Sequence, residues 1–253
     1  MKLFAKLFLL TGTFASLSHA SSLRTGNNPS LYYTPQFSAT NPSCDSRDLK
    51  PVLSPDKNVL VSLCARDYKK CLFEGACLIE TPQGGRLGIS FYKYSEAENQ
   101  SYFEKINLEK CPFGYGVGKI SPTEAASTCL IPYVSVSADP LAHSLGEVIY
   151  VPALKGLPLP TGEVHDGYLI ISDSSTDSID TGLDQFAFYT GVHPKKDPQN
   201  AFAATLLGNP DNEYPYEVIT GPVAEEIRQK RHFTLVKTFP RVFKPKANEM
   251  IGN

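Results

Sequence analysis

The chain of 253 residues contains no tryptophan and two methionines. The missing indole counts against a simple carbohydrate-binding module. Long apolar runs are also missing. Apart from Leu3–Ala15 near the start, nothing approaches the ~20 residues that a membrane-crossing helix needs. No two cysteines stand in a CxxC spacing, and none lies beyond Cys129, so a zinc-binding cysteine motif is not expected. Positive charge is absent from one long stretch: no Lys or Arg falls between Lys155 and Lys195. Formal net charge is −2, where a nucleic-acid binder would be basic. Charged residues make up 20% and hydrophobic ones 42%, so a packed core is expected rather than disorder.

What is present begins with an export signal. Lys2 and Lys6 flank the apolar stretch, and Ser18-His19-Ala20 supplies a small-x-small exit. A positive start, a short apolar segment and a small-residue cut read as a secretory signal over residues 1–20. Ser21 rather than Cys follows the cut, so no lipid anchor is expected there. The expected location is exported, periplasmic or secreted, without a stable membrane anchor. Six cysteines remain: Cys44, Cys64, Cys71, Cys77, Cys111 and Cys129. An even number in an exported chain reads as disulfides, with fifteen connectivities open.

The pattern along the chain is mainly β. Residues 21–57 are rich in Ser, Asn and Pro and read as irregular. Asn58–Leu63 reads as a strand. Cys77–Thr81 and Arg86–Tyr92 flank Pro82-Gln83-Gly84-Gly85 as a hairpin. A short helix is expected near Thr123–Ala126. Strands are expected at Ile131–Val136, Glu147–Val151, Tyr168–Ser172 and Gln185–Tyr189, with Pro/Gly-rich loops between them, which is the habit of a sandwich or barrel. A helix is expected at Pro222–Lys230, with Pro at its start and bases in its last turn. This suggests an N-terminal irregular and β segment over 21–92, a β domain over 93–220, and a C-terminal helix and basic tail over 221–253.

Three aspartates stand out: Asp139 in Asp139-Pro140, ahead of Leu145-Gly146 and a strand; Asp173, ending a strand; and Asp184 in Asp184-Gln185-Phe186, ahead of Gly191. Aspartates at strand ends beside loops are placed as scaffolds place functional groups. Roughly residues 131–191 resemble the three-aspartate domain of the membrane-bound lytic transglycosylase A family, in the order of the elements and in the Asp173-to-Asp184 spacing. The chain departs from that pattern twice. Ser174-Ser175 stand where the family usually has a Gly pair, and His143-Ser144 where it favours an apolar residue and Pro.

The resemblance implies a double-psi β-barrel; the cysteines and the strand signals of 58–92 place a disulfide-braced β extension ahead of it. The resemblance also implies an enzyme that cleaves peptidoglycan glycan strands, without a cofactor or metal, with Asp184 as general acid/base and Asp173 and Asp139 supporting it. The chemistry needs a proton delivered to the leaving oxygen. One carboxyl suffices for a lytic transglycosylase, because the muramyl 6-hydroxyl replaces water and returns the proton. Tyr168, Phe188 and Tyr189 are candidate sugar-stacking residues, and Asp177 and Asp180 candidate substrate contacts. With Glu163 and Asp166 they make a strongly acidic stretch, which suggests cationic, de-N-acetylated peptidoglycan as substrate. His143, His165 and His193 are weak candidates for a metal site, since no ligand spacing supports one. The basic tail, from Arg228, Lys230, Arg231 and Lys237 to Arg241, Lys244 and Lys246, suggests salt-sensitive attraction to an anionic wall or membrane. The expected partner is peptidoglycan, bound by a monomer, with no nucleic acid. The rival is a non-catalytic wall-binding module of expansin type, since fold does not fix function.

Overall fold

Fourteen strands and two α-helices make up the regular structure among the described residues. The computed structural model describes residues 23–39, 44–174, 184–195 and 200–240. The signal segment therefore lies outside it, as do Asp177, Asp180, Arg241, Lys244 and Lys246.

Six strands close a ring. They are β1 (Leu23–Ser38), β9 (Ser135–Ala138), β10 (Val148–Tyr150), β11 (Tyr168–Ser174), β12 (Gln185–His193) and β13 (Tyr214–Ile219). Pairing runs β12-β9-β11-β10-β13-β1, and β1 returns to β12. Closure leaves no open edge within the ring. The β9–β11 and β1–β12 pairs are parallel and the other four antiparallel. Alternation sends successive side chains to opposite faces. Leu169 and Ile171 join Val136, Ile149, Phe186, Phe188 and Tyr214 in one core. Ile170 instead meets Val148, Ala224 and Ile227. The last two belong to α2 (Gly221–Lys230), one residue longer than the sequence suggests.

The remaining part of β1 pairs with β4 (Ala76–Glu80). The sheet continues through β5 (Arg86–Ser95), β6 (Gln100–Ile106), β2 (Leu49–Leu53) and β3 (Val59–Cys64). Helix α1 (Ala65–Glu74) places Cys71 and Leu72 in its core. Residues 23–38 and 49–53 are thus strands, where the sequence reads as irregular. Pairing also crosses the boundary set at residue 92, since β5 runs on to Ser95 against β6. The hairpin expected around Gly84-Gly85 forms as β4–β5, and Gly84 takes φ +77°.

A second, three-stranded sheet consists of β7 (Tyr115–Lys119), β8 (Glu124–Cys129) and β14 (Leu235–Pro240). Here the helix expected at Thr123–Ala126 is replaced by strand β8, paired on both sides. Ala125 and Ala126 have good helix propensity, but propensity yields to tertiary pairing.

The disulfides join neighbours in sequence: Cys44–Cys64, Cys71–Cys77 and Cys111–Cys129. The first two brace the β2–β6 half around α1. The third ties the approach to β7 onto β8. Denatured protein from an oxidising compartment should therefore show no free thiols before reduction and six after it. Each bridge should contribute about 2–4 kcal/mol. Four or more free thiols before reduction would refute the pairing.

Candidate functional site

Strand register brings the three aspartates to one end of the ring. Ala138, the last residue of β9, lies opposite Phe186 of β12 and Ser174 of β11. Asp139 follows Ala138, Asp173 precedes Ser174, and Asp184 stands two residues before Phe186. The carboxylates nevertheless have different surroundings.

Asp139 is fully buried, with 0% exposure. Its Oδ1 accepts from the Leu141 N–H at 2.7 Å. Its carbonyl accepts from the N–H groups of Ala142 and His143 at 3.1 and 2.9 Å. Asp139 thereby shapes the turn that carries His143. The other carboxylate oxygen has no hydrogen-bond partner among the described residues.

Asp173 is half-buried and holds β7. Its Oδ1 accepts from the Val117 N–H at 2.8 Å, while the Ser174 hydroxyl donates to the Val117 carbonyl at 2.7 Å. Glycines at 116 and 118 permit this approach. A Cβ on Gly116 would lie 2.0 Å from the Ser172 carbonyl oxygen, and one on Gly118 would lie 2.8 Å from Leu145. Leu145 also donates its N–H to the Lys119 carbonyl at 2.7 Å. Gly146 follows at φ +86°, and its carbonyl accepts from Arg228 of α2 at 3.0 Å. The Leu-Gly turn is thus a clamp between β7 and α2.

Asp184 is partly accessible, with its side chain 30% exposed. Its Oδ1 lies 3.4 Å from His143 Nε2. The imidazole is buried, and its Nδ1 lies 2.5 Å from Glu147 Oε1. Phe186 packs against this ring at 4.9 Å between centroids. Tyr216 and Arg24 complete the cluster, brought together by β1–β13 pairing. Burial pushes the Tyr216 phenol well above its ordinary range; Arg24 opposes that shift and Asp184 adds to it. Tyr216 in turn raises the Arg24 guanidinium, so a permanent cation stands near the carboxylate. The arrangement offers an accessible carboxyl backed by a buried imidazole, a second carboxylate, a phenol and a guanidinium. That set can deliver a proton and stabilise the anion left behind.

The other sequence candidates lie elsewhere. Phe188 and Tyr189 are fully buried. Phe188 packs on Tyr214 and Phe202. The Tyr189 hydroxyl donates to the Phe113 carbonyl at 2.8 Å and meets Thr34. Neither ring has a face for a sugar: Phe188 fills the barrel core, while Tyr189, on the opposite face of β12, is covered by Tyr32 and the Phe113 segment. Tyr168 is half-buried against Tyr150, 4.9 Å between centroids. It opens β11, five residues before Asp173, roughly 16 Å away along a strand.

His165 accepts from the Gly167 N–H at 2.8 Å and bonds the Tyr133 carbonyl at 2.8 Å. His193 bonds the Thr190 carbonyl at 3.0 Å. Both therefore serve as local backbone ties. Among the described residues, no three or more His, Cys, Asp or Glu side chains group so as to hold a metal. The described members of the basic run are engaged: Lys230 and Arg231 pair with Asp166, Arg228 with Glu225, and Lys237 with Glu104. Asp166 is correspondingly spent within the fold.

Glu147, Tyr216 and Arg24 escaped the sequence reading. Only His143 and Glu147 carried a local signal, a four-residue separation across Leu145-Gly146. Arg24 and Tyr216 meet through register alone.

No family model matches the chain, and no curated protein matches it. Several solved structures are similar to it. One is MltA from E. coli with bound chitohexaose, 15% identical, covering 78% of this chain and 72% of that chain, with a TM-score of 0.45. Another is a membrane-bound lytic murein transglycosylase from Agrobacterium tumefaciens, 13% identical, covering 79% and 75%, with a TM-score of 0.43. A third is the lytic transglycosylase LtgG of Burkholderia pseudomallei, 11% identical, covering 88% and 73%, with a TM-score of 0.36. Likeness at this level assigns no activity to this chain.

Proposed function

We propose that the protein cleaves the glycan strands of peptidoglycan, with Asp184 as the general acid/base. The observation that carries this reading is the accessible Asp184 carboxyl at the barrel end where Asp139 and Asp173 also converge, backed by His143. The three-aspartate pattern in the sequence points to the same residue. Asp139 and Asp173 are positioning residues: one shapes the His143 turn and the other fixes β7.

Cleavage needs one proton to move out and one to move back. Asp184 gives its proton to the glycosidic oxygen as the bond to the muramyl anomeric carbon breaks. The leaving sugar departs as a neutral alcohol, and the carboxylate stabilises the sugar cation. Asp184 then takes the proton of the muramyl 6-hydroxyl as that oxygen bonds to the anomeric carbon. If water takes the hydroxyl's place, the product is an ordinary reducing end.

Mass spectrometry of fragments from a purified wall digest tests this. Transglycosylation gives muramyl ends lighter by one water than hydrolysis does. Wall binding without soluble fragments would overturn the enzyme reading in favour of the expansin-type module. The acidic stretch around Asp177 and Asp180 extends the proposal to a preference for de-N-acetylated strands. An ammonium about 4 Å from a carboxylate gains roughly 4 kcal/mol at an effective dielectric near 20, before desolvation. Several-fold slower digestion after chemical re-acetylation of the same wall is expected; faster digestion would refute the preference.

A further inference from the structure

The buried imidazole behind Asp184 stands at one of the two positions where this chain leaves the three-aspartate pattern. His143 has almost no exposed surface, its side chain being 1% accessible. Its two ring nitrogens face different carboxylates. Nδ1 is 2.5 Å from Glu147 Oε1, a close charge-assisted contact. Nε2 makes no hydrogen bond among the described residues, although Asp184 Oδ1 lies 3.4 Å from it. Catalytic hydrogen bonds are often this long before substrate binds. The ring has little freedom to turn away. Phe186 lies 4.9 Å and Tyr216 6.5 Å from it, centroid to centroid. Asp139 fixes its backbone through the bond from the His143 N–H.

We propose that His143 is a positioning residue for Asp184, held by Glu147, and that the Asp184–His143 pair shares the proton used in cleavage. This rests on the glycan-cleaving reading and adds a relay to it. Glu147 accepts the Nδ1–H and so leaves Nε2 to face Asp184, the logic by which a carboxylate fixes the tautomer of a catalytic imidazole. Before reaction the pair holds one proton between Asp184 Oδ1 and His143 Nε2. That proton goes to the glycosidic oxygen as the C–O bond breaks, leaving an aspartate and a neutral imidazole. The pair recovers a proton from the attacking hydroxyl, so the cycle closes without another reactant. Among the described residues, the charged or titratable groups around the imidazole include Asp139 after β9, whose carbonyl accepts from the His143 N–H, Glu147 before β10, Tyr216 on β13 and Arg24 on β1, the last through Tyr216.

Two measurements test the pair. The first is kinetic: His143→Gln should lower kcat by about tenfold to a hundredfold, leave KM within about twofold, and change the shape of the pH–rate profile. Glu147→Gln should act in the same direction and less strongly. The second is spectroscopic and needs no activity. With 15N-labelled histidine, the His143 Nε2 resonance should move when Asp184→Asn is introduced, while the His165 resonances stay in place. Unchanged kcat and pH profile in a folded His143→Gln protein would overturn the proposal. So would a His143 resonance indifferent to Asp184→Asn. If the wild-type protein digests no wall, the glycan-cleaving reading fails. A moving Nε2 resonance would then still establish the contact on which the pair depends.

Discussion

Asp184→Asn is expected to slow wall digestion by about a hundredfold or more while leaving the circular dichroism spectrum unchanged. The amide keeps the size and one acceptor of the carboxyl but has no proton to give at neutral pH. The side chain is 30% exposed at the start of β12, and its backbone carbonyl accepts from the Asn27 N–H at 3.2 Å. That main-chain contact survives the substitution, so the fold has little to lose. Asp173→Asn is a control at the same end of the barrel. Its amide oxygen can still accept from Val117 N–H, so it should lose far less. The measurement is release of soluble fragments from purified wall, normalised to folded protein. Near-normal digestion by folded Asp184→Asn would remove Asp184 from the chemistry, whatever the similar structures do.

The two positions also show what kind of information the sequence holds. Asp173 and Asp184 are visible because strand ends and turns have local signatures. Once β9, β11 and β12 are recognised, alternation and register bring Asp139 beside both. The supporting groups have no such signature. Arg24 lies in a stretch whose Asn, Ser and Pro content reads as irregular. It is extended because β12, β13 and β4 all hydrogen-bond to β1. Tyr216 is polar-tipped and aromatic, with nothing local to separate a site residue from a core residue. Phe188 and Tyr189 show the same ambiguity in reverse, since aromatics next to an acid read as sugar platforms and prove to be core. Helix α1 has no clear signature in the sequence for a related reason. Its N-cap residue, Cys64, makes no side-chain capping bond, so the usual start signal is absent. The Ala-Ala pair in β8 reads as helix because local propensity cannot see that β7 and β14 flank it.

The largest expected stability effect follows from that same hidden packing. Gly116→Ala should lower stability by about 3 kcal/mol or more, beyond the usual cost of one added methyl in a full core. Gly116 sits in β7, with its backbone pressed onto β11. The added Cβ would lie 2.0 Å from the Ser172 carbonyl oxygen and 2.9 Å from Leu130 Cδ2. Leu130 can turn aside, but Ser172 offers main chain in the middle of a barrel strand and cannot. The strand must therefore lift. Lifting β7 stretches the bonds from Val117 N–H to Asp173 and from Ser174 to the Val117 carbonyl, at 2.8 and 2.7 Å. It also loosens the Leu145 N–H bond to the Lys119 carbonyl, and Leu145 leads directly into Gly146 and Glu147. The disturbance therefore reaches the carboxylate that holds His143. Gly84→Ala is the matched control. That glycine has φ +77° but open space where a Cβ would go, so it should cost only about 1 kcal/mol of backbone strain. Thermal melts should separate the two clearly, since 3 kcal/mol corresponds to roughly 6–12 °C for a domain of this size. Digestion measured well below both transitions should fall for Gly116→Ala and hold for Gly84→Ala. A Gly116→Ala protein that melts within about 2 °C of wild type would mean that β7 does not lie against β11 as described, and the support of Asp173 would fall with it.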